Sequence, residues 1–435
     1  MEQWDVIVIG GGPAGLMACV SAAQQKARVL LLDKGEKLGR KLMISGGGRC
    51  NVTNAKPLEE LIKNIPGNGR FLYSALNEFN NQDIMAFFTG IGIQLKEEDR
   101  GRMFPANDKA KTVVNALIQE VKRLGVSIRT NQPVAHIMFD ETSVRRVVLQ
   151  SGETLECKSV VIAVGGCSVP ATGSTGDGYS WAEAAGHTIT DLYPTAVPLT
   201  ASDNYIAEGR LQGLSLRNVV LSLYNPKGKK LCTEEGDMLF THIGVSGPAV
   251  LRTSHYVSTA RKKFGDIPLS LTIDLMPDKS LADVNEEATL LLKEEPKKAI
   301  KNVLRAYLPE RMLKLMLEMA VLDENITYHD LPKDRWASFI KLIKQFPVTV
   351  SGTLSMEQAT VTGGGVNTKE VDPRTMQSKC KQGLFFAGEV LDVHAHTGGY
   401  NITVAFTTGH AAGEAAAKQA LGIENSFSPL KLKKS

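Results

Sequence analysis

The stretch "GRKLMISGGGRCNVTN", Gly39 to Asn54, collects residue types suited to chemistry. Arg40, Lys41 and Arg49 are cations, Cys50 is a thiol, and Gly46, Gly47 and Gly48 follow Ser45 as bare backbone ahead of Asn51. No hydrophobic periodicity runs through it, so it reads as a functional loop and not as a core element. Four chemistries suit such a loop: a phosphate cradle, a cysteine nucleophile in a basic setting, a metal site, or a clamp on a large flat cofactor. A Ser-Gly-Gly-Gly turn brings several backbone N–H groups to a phosphate or ring edge without side-chain obstruction. Cys50 has no evident activating partner in the sequence. The six cysteines, at 19, 50, 157, 167, 232 and 380, contain no CxxC and no close pair. That spacing argues against a zinc site, a disulfide framework and a dithiol reductase, so no metal is expected and the thiols read as reduced.

The segment "WDVIVIGGGPAGLMACVSAAQQKARVLLLDK" decides what such a loop would serve. Val6 to Ile9 is a continuous apolar run, as in a strand buried on both faces. Gly10, Gly12 and Gly15 then fit GxGxxG, Pro13 to Ala23 is helix-compatible, and Val29 to Leu32 is a second strand ending at Asp33. A glycine fingerprint between strand and helix, with an acid after the next strand, predicts a dinucleotide site. Gly10 permits the tight turn, Gly12 lets backbone approach the pyrophosphate, and Gly15 lets helix and strand pack closely. Pro13 and Ala14 open the helix toward the phosphates, and Asp33, with Lys34 beside it, meets the adenosine ribose.

NAD and FAD share this fingerprint, and a distant segment chooses between them. "GLFFAGEVLDVHAHTGGYNITVAFTTGHAAGEAAA" reads as a strand (Leu384 to Ala387), a turn with Gly388 and Glu389, a polar loop, and a helix starting near Gly399. Glu389 or Asp392 is expected at a ribityl chain, with Gly399, Tyr400, Asn401 and Ile402 at a flavin edge, where a helix dipole stabilises negative charge. "VVIAVGG" supplies a third strand and turn, with Ala163, Gly165 and Gly166 beside the nucleotide, and Val134 completes the expected contacts. FAD is therefore the predicted cofactor, and the opening loop is its clamp.

Composition excludes other classes. Apolar residues make up 43% and charged residues 22%, as in ordinary globular proteins. The net charge of +4 is small for 435 residues, so a nucleic-acid partner is not expected; the runs "NPKGKK" and "KLKKS" read as solvated surface. Val6 to Gln25 carries no charge, but "GGGP" interrupts it and no basic segment precedes it, so no membrane span is expected and the protein reads as cytoplasmic.

The expected fold is α/β, a Rossmann-like FAD-binding domain interrupted by a β-rich domain and a small helical one. The FAD domain takes 1–190 and 355–435, the β-rich insertion 191–278 with 347–354, and the helical insertion 279–346. Leu269, Leu271, Ile273 and Leu275 alternate as a half-buried strand should. No glycine occurs between Asp266 and Ser351, and 279–346 reads as amphipathic helices broken at Pro296, Pro309 and Pro332. Met312, Leu313, Leu315, Met316 and Met319 read as a core-facing helical stripe.

The expected chemistry is hydride transfer between flavin N5 and a small organic substrate. His394 and His396 flank the flavin edge and His242 lies in "FTHIGVSG", so these three are candidate acids or bases. His187 reads as a satisfied residue after a helix. Arg49 and Arg102 suit an anionic substrate, a FAD phosphate or a neighbouring carboxylate, and Tyr400 suits stacking or a hydrogen bond. No second GxGxxG follows with strand, helix and acid. Three readings stay open: a reductase that receives NAD(P)H transiently at the flavin face, an oxidase that passes electrons to oxygen, and a FAD-bound RNA-associated protein. The oligomeric state is not encoded in any motif.

Five segments together, "GRKLMISGGGRCNVTN", "GRMFPANDKAKTVVNAL", "IAVGGCSVPATGSTGDGYSWAEAAGH", "FTHIGVSGPAVL" and "AGEVLDVHAHTGGYNITVAFTTGHAAG", resemble the bacterial aminoacetone-oxidase-like flavoproteins, a group of NAD(P)/FAD-dependent oxidoreductases. That group includes proteins proposed to reduce steroid double bonds in bile acids. The resemblance runs from about Val6 to Gly413 and implies FAD held by the first and last segments, with two domains inserted between. More distantly, "SGGGRCN" is similar to the Ser-Gly-Gly loop of fumarate-reductase-type flavoproteins.

Overall fold

The apolar run after Trp4 forms β1 (Gln3–Ile9) of the computed structural model, which describes residues 3–423. "KLKKS" lies outside the described residues. Val6 to Ile9 are buried, as both faces of a central parallel strand must be. The helix α1 (Pro13–Gln24) follows, with proline at its first turn where no N–H is needed, and then β2 (Val29–Leu32).

A seven-stranded sheet runs in the order Ser127–Arg129, β2, β1, Thr154–Ile162, Val144–Leu149 and Val134–Phe139, with Leu384–Phe386 also paired to Thr154–Ile162. Ile9 pairs with Leu32 and with Ile162, and Ile162 pairs with Phe386, all in parallel register. The parallel strands therefore end level. Gly10, Asp33, Ala163 and Ala387 all leave the sheet at one carboxyl edge, where ligands bind in open α/β sheets.

The long helix Tyr400–Ala420 packs on α1 through small residues. A Cβ on Gly409 would lie 2.3 Å from the Ala14 carbonyl oxygen, and one on Gly413 would lie 2.2 Å from that of Ala18. The two backbones touch, so glycine is required at both positions. This contact brings a segment near residue 400 against the first helix of the chain.

Among the described residues, those up to Tyr193 and those from Met356 on form one compact unit, and Pro194–Ser355 form another. In the second, six strands close a barrel in the order Leu199–Ala201, Gly244–Ser246, Lys230–Phe240, Ser215–Tyr224, Leu269–Asp274 and Phe346–Thr353. Leu269, Leu271 and Ile273 point inward, while Leu275 falls past the strand end. Pro309 and Pro332 cap the helices Glu310–Met319 and Lys333–Lys344.

Barrel and helices share one core, in which Leu271 and Phe346 join Met312, Leu313, Leu315, Met316 and Phe339. The expectation of two inserted domains thus meets one unit built of both. Met319 is 38% exposed and lies outside the stripe. A 17-residue helix, Pro248–Phe264, sits within the region read as β-rich. Among the described residues, no helix is long and apolar enough to cross a membrane.

Candidate cofactor site

The fingerprint glycines act for different reasons. Gly10 has φ +104°, and a Cβ there would lie 2.5 Å from the Ala163 carbonyl oxygen. A Cβ on Gly15 would lie 1.8 Å from the Gly10 carbonyl oxygen, so the turn and the helix close on each other. Gly12, the residue before α1, has nothing within 4 Å of that position. Open space over a helix N-terminus is what a pyrophosphate needs.

Asp33 braces this loop: its Oδ2 accepts the Gly11 N–H at 2.7 Å and its Oδ1 the Gly35 N–H at 2.7 Å. A carboxylate has about four acceptor positions, so two bonds leave capacity for ribose hydroxyls. Gln132 donates its N–H to the Asp33 carbonyl at 2.9 Å, which sets buried Val134 beside the end of β2. Lys34 pairs with Asp177 at 2.6 Å. The Arg40 guanidinium lies over Gly35 and Gly173, at 2.5 and 2.4 Å from where their Cβ atoms would be.

The opening loop joins this end directly, since Gly39 donates its N–H to the Gly11 carbonyl at 2.8 Å. It begins as a helical segment, Arg40–Gly48, whose Leu42 is buried, and unwinds at Ser45. The loop reading therefore holds only from Ser45. Gly46, Gly47 and Gly48 have φ +57°, +68° and +84°, and around Gly47 and Gly48 no atom lies within 4 Å of a Cβ position. Three left-handed glycines in a row leave bare backbone that a ligand can approach closely.

The loop then reaches the start of the long helix. A Cβ on Gly399 would lie 2.5 Å from the Thr53 carbonyl oxygen and 2.8 Å from Asn51 Oδ1. Asn54 donates to the Gly398 carbonyl at 2.9 Å, and the Thr53 and Thr403 hydroxyls are 2.7 Å apart. Asn401 clamps the preceding loop, accepting the Ala395 N–H at 2.9 Å and donating to the Ala395 carbonyl at 2.8 Å. Ile402 packs against the core of this unit. The glycine turn and the helix N-terminus thus form one end of the site, electropositive through the helix dipole.

Between the two ends sits Glu389. Its carboxylate accepts from Lys41 Nζ at 2.7 Å, Ser168 Oγ at 2.9 Å and the Thr362 N–H at 2.7 Å. Burial alone would raise its pKa, but the Lys41 ammonium and these hydrogen bonds hold it below the ordinary glutamate value. Gly165 and Gly166 line the same place. A Cβ on Gly165 would meet Ser174 Oγ at 2.9 Å, and one on Gly166 would meet Thr362 Oγ1 at 2.4 Å. The Gly388 N–H is held by Thr408 Oγ1 at 2.9 Å. Asp392 follows, its N–H on the Val366 carbonyl at 2.9 Å.

The residues expected to do direct chemistry are placed unevenly. Arg49 stacks 4.0 Å from the Phe104 ring centroid and pairs with Glu98 at 2.9 Å and Asp108 at 3.3 Å. Of the roles weighed for it, this is the neighbouring carboxylate. Arg102 pairs with Asp99. His394 is buried and edge-on to Tyr193, its backbone bridged to Gly67 at 3.1 Å. His396 is buried, with its N–H on the Asn64 carbonyl at 2.9 Å. His242 belongs to the second unit, exposed in the turn before Gly244. The Cys50 thiol is buried and pushed up to about 12, so it stays protonated and is no nucleophile.

His187 lies elsewhere in the first unit, with Glu370 and Cys380 close by. Ser378 Oγ accepts the N–H groups of Cys380 at 3.0 Å and Lys381 at 2.9 Å, so its own proton goes to His187 Nε2 at 2.6 Å. Nδ1 lies 3.4 Å from a Glu370 carboxylate oxygen.

Sequence reasoning missed Ser168, Thr362 and Tyr179. Tyr179 is buried and its hydroxyl has no hydrogen-bond partner. Burial, with Glu389, Cys167 and Asp392 nearby, pushes its pKa up, so the hydroxyl keeps its proton to donate. The signal lay in "GSTGDGYSW", but one tyrosine among core residues there looked no different from packing. Open positions over Gly12, Gly47 and Gly48, with orphaned polar atoms on Asn51 and Tyr179, fit a long ligand with a phosphate end and a flat polar end. FAD has that form.

The profile described as "HI0933-like protein Rossmann domain" matches residues 4–415. The chain belongs to this HI0933-like family. It is accordingly a FAD-dependent oxidoreductase. It is 32% identical over 416 residues to a ribosomal RNA dihydrouridine synthase of Haemophilus influenzae, covering 94% of this chain and 98% of that one. It is 29% identical over 418 residues to a 3-dehydro-bile acid delta(4,6)-reductase of Clostridium scindens, covering 95% and 98%. Among solved structures, a 3-ketosteroid delta1-dehydrogenase from Sterolibacterium denitrificans matches with TM-score 0.52 at 14% identity, over 96% of this chain and 100% of that one. At that identity the likeness concerns the fold.

Proposed function

We propose that this enzyme reduces a carbon–carbon double bond conjugated to a carbonyl, and that the bond belongs to a uracil ring of ribosomal RNA. The supporting observation is the full-length similarity to a ribosomal RNA dihydrouridine synthase, with a second such relative from Escherichia coli at 32% identity over 94% of this chain. Uridine becomes dihydrouridine by gain of one hydride and one proton across its 5,6 bond. The bile-acid relative is named for reduction at ring double bonds, so both names share one chemistry. The net charge of +4 sets the balance of the whole chain and not of one face, so it does not oppose an RNA substrate.

When bound, FAD supplies the hydride at N5. In this reading the N-terminus of Tyr400–Ala420, with bare backbone at Gly46 to Gly48 beside it, stabilises negative charge at the flavin end, which favours accepting electrons before the substrate arrives. Lys41 keeps Glu389 ionised near the ribityl chain. His394 or His396 delivers the proton, each held in place by its backbone. NAD(P)H is the proposed electron source, reaching the flavin transiently.

The test is anaerobic. Purified holoenzyme is mixed with NADPH or NADH, then with ribosomal RNA from a strain lacking the gene. Bleaching of the flavin followed by nucleosides heavier by two hydrogens is the expected result. The likeness to a bile-acid reductase supports a second reading, a steroid enone, and the same assay with a 3-keto-4-ene steroid separates the two. In a separate assay in air, hydrogen peroxide formed from an amine, with no response to nicotinamide, would point to the amine-oxidase reading instead.

A further inference from the structure

Asn51 is 7% exposed and its Oδ1 has no hydrogen-bond partner. Leaving a buried amide oxygen unpaired is unfavourable enough that native structures rarely do it without a ligand, water or ion. The side chain is tightly placed. A Cβ on Gly399 would lie 2.8 Å from that oxygen, and one on Gly46 would lie 3.0 Å from the Asn51 nitrogen and 3.5 Å from its Cβ. Asn51 therefore stands between the glycine turn and the start of the long helix.

The helix offers donors through its first N–H groups, and Gly46 to Gly48 leave bare backbone beside them. The polar edge of an oxidised flavin presents acceptors at N1, O2, O4 and N5 and a single donor, N3–H. A site of backbone donors meets the acceptors and leaves that donor to be matched. A buried, unpartnered carbonyl oxygen at the same end is the missing complement. Resting on the FAD reading above, we infer that Asn51 accepts the flavin N3–H through Oδ1 and thereby selects and orients the ring.

The experiment compares binding of FAD and of its N3-methyl analogue to apoprotein by flavin fluorescence, in wild type and in Asn51→Ala. Wild type should prefer FAD by about tenfold, the worth of one buried hydrogen bond. Asn51→Ala should lose about that much FAD affinity and bind both flavins alike. Asn51→Asp keeps an acceptor, so it should keep the preference, while its charge lowers the flavin reduction potential. Equal binding of both flavins by wild type overturns the inference, as does a preference that persists in Asn51→Ala. Should the alanine variant fail to fold, Asn51→Ser and the wild-type ratio decide the same question. Failure of wild type to bind either flavin would instead overturn the FAD reading beneath it.

Discussion

The two ends of the proposed cofactor site use glycine for opposite reasons. At the phosphate end Gly15 is fixed by contact, its absent Cβ 1.8 Å from a carbonyl oxygen. At the flavin end Gly47 has φ +68° and empty space around it. The first glycine lets two elements of one βαβ unit pack, and the second shapes backbone toward a ligand. One end is therefore part of the folding core, and the other is a surface held ready. Substitutions at the first should be felt in stability, with or without cofactor. Substitutions at the second should be felt mainly when the cofactor binds.

Gly15→Val should show the largest effect, a loss of about 3 kcal/mol or more in denaturant unfolding of the apoprotein. A well-folded Gly15→Val would break the distinction. Next comes the link between the ends. Lys41→Met leaves the Glu389 carboxylate without its ammonium and should cost about 2 kcal/mol, with Glu389→Gln in the same chain restoring much of it. A double-mutant cycle on thermal unfolding reads this coupling.

The depressed pKa of Glu389 carries a sign. Its contribution is complete above the unfolded glutamate pKa of about 4.3 and is lost as pH falls through the lower folded value. The stability gap between wild type and Glu389→Gln should then be flat near neutrality and close in acid. A gap that widens in acid would assign the group wrongly.

The smallest effect on the fold is expected of Gly47→Ala, about 1 kcal/mol from the left-handed backbone alone. Its FAD affinity should fall by more than its stability does. Equal losses would mean that the glycine turn is structural, and the contrast between the ends would collapse.

Legibility in the sequence follows the same division. Strand, turn, helix and acid from Val6 to Asp33 are one local unit, and the structure reproduces them nearly residue for residue. The strand at Leu384 and the helix after Gly399 were equally readable, because each is a short run with its own periodicity and glycine punctuation. Arg49 was open to an anionic substrate, a FAD phosphate or a neighbouring carboxylate, and Glu98 and Asp108 meet it. Charge type is visible in a sequence, but which carboxylate neutralises it is not. Cys50 looked like a thiol in a basic loop, and burial made it inert.

The sequence by itself determined the dinucleotide turn, the FAD assignment and the α/β class, because these rest on backbone preferences and hydrophobic period acting over a few residues. Only the tertiary structure decided that Asn51 meets Gly399, that Lys41 meets Glu389, and that the barrel and the helices share one core. Those contacts join residues more than three hundred positions apart, or depend on which apolar faces find each other. Burial then sets which of the polar groups are charged, and burial is a property of the folded chain.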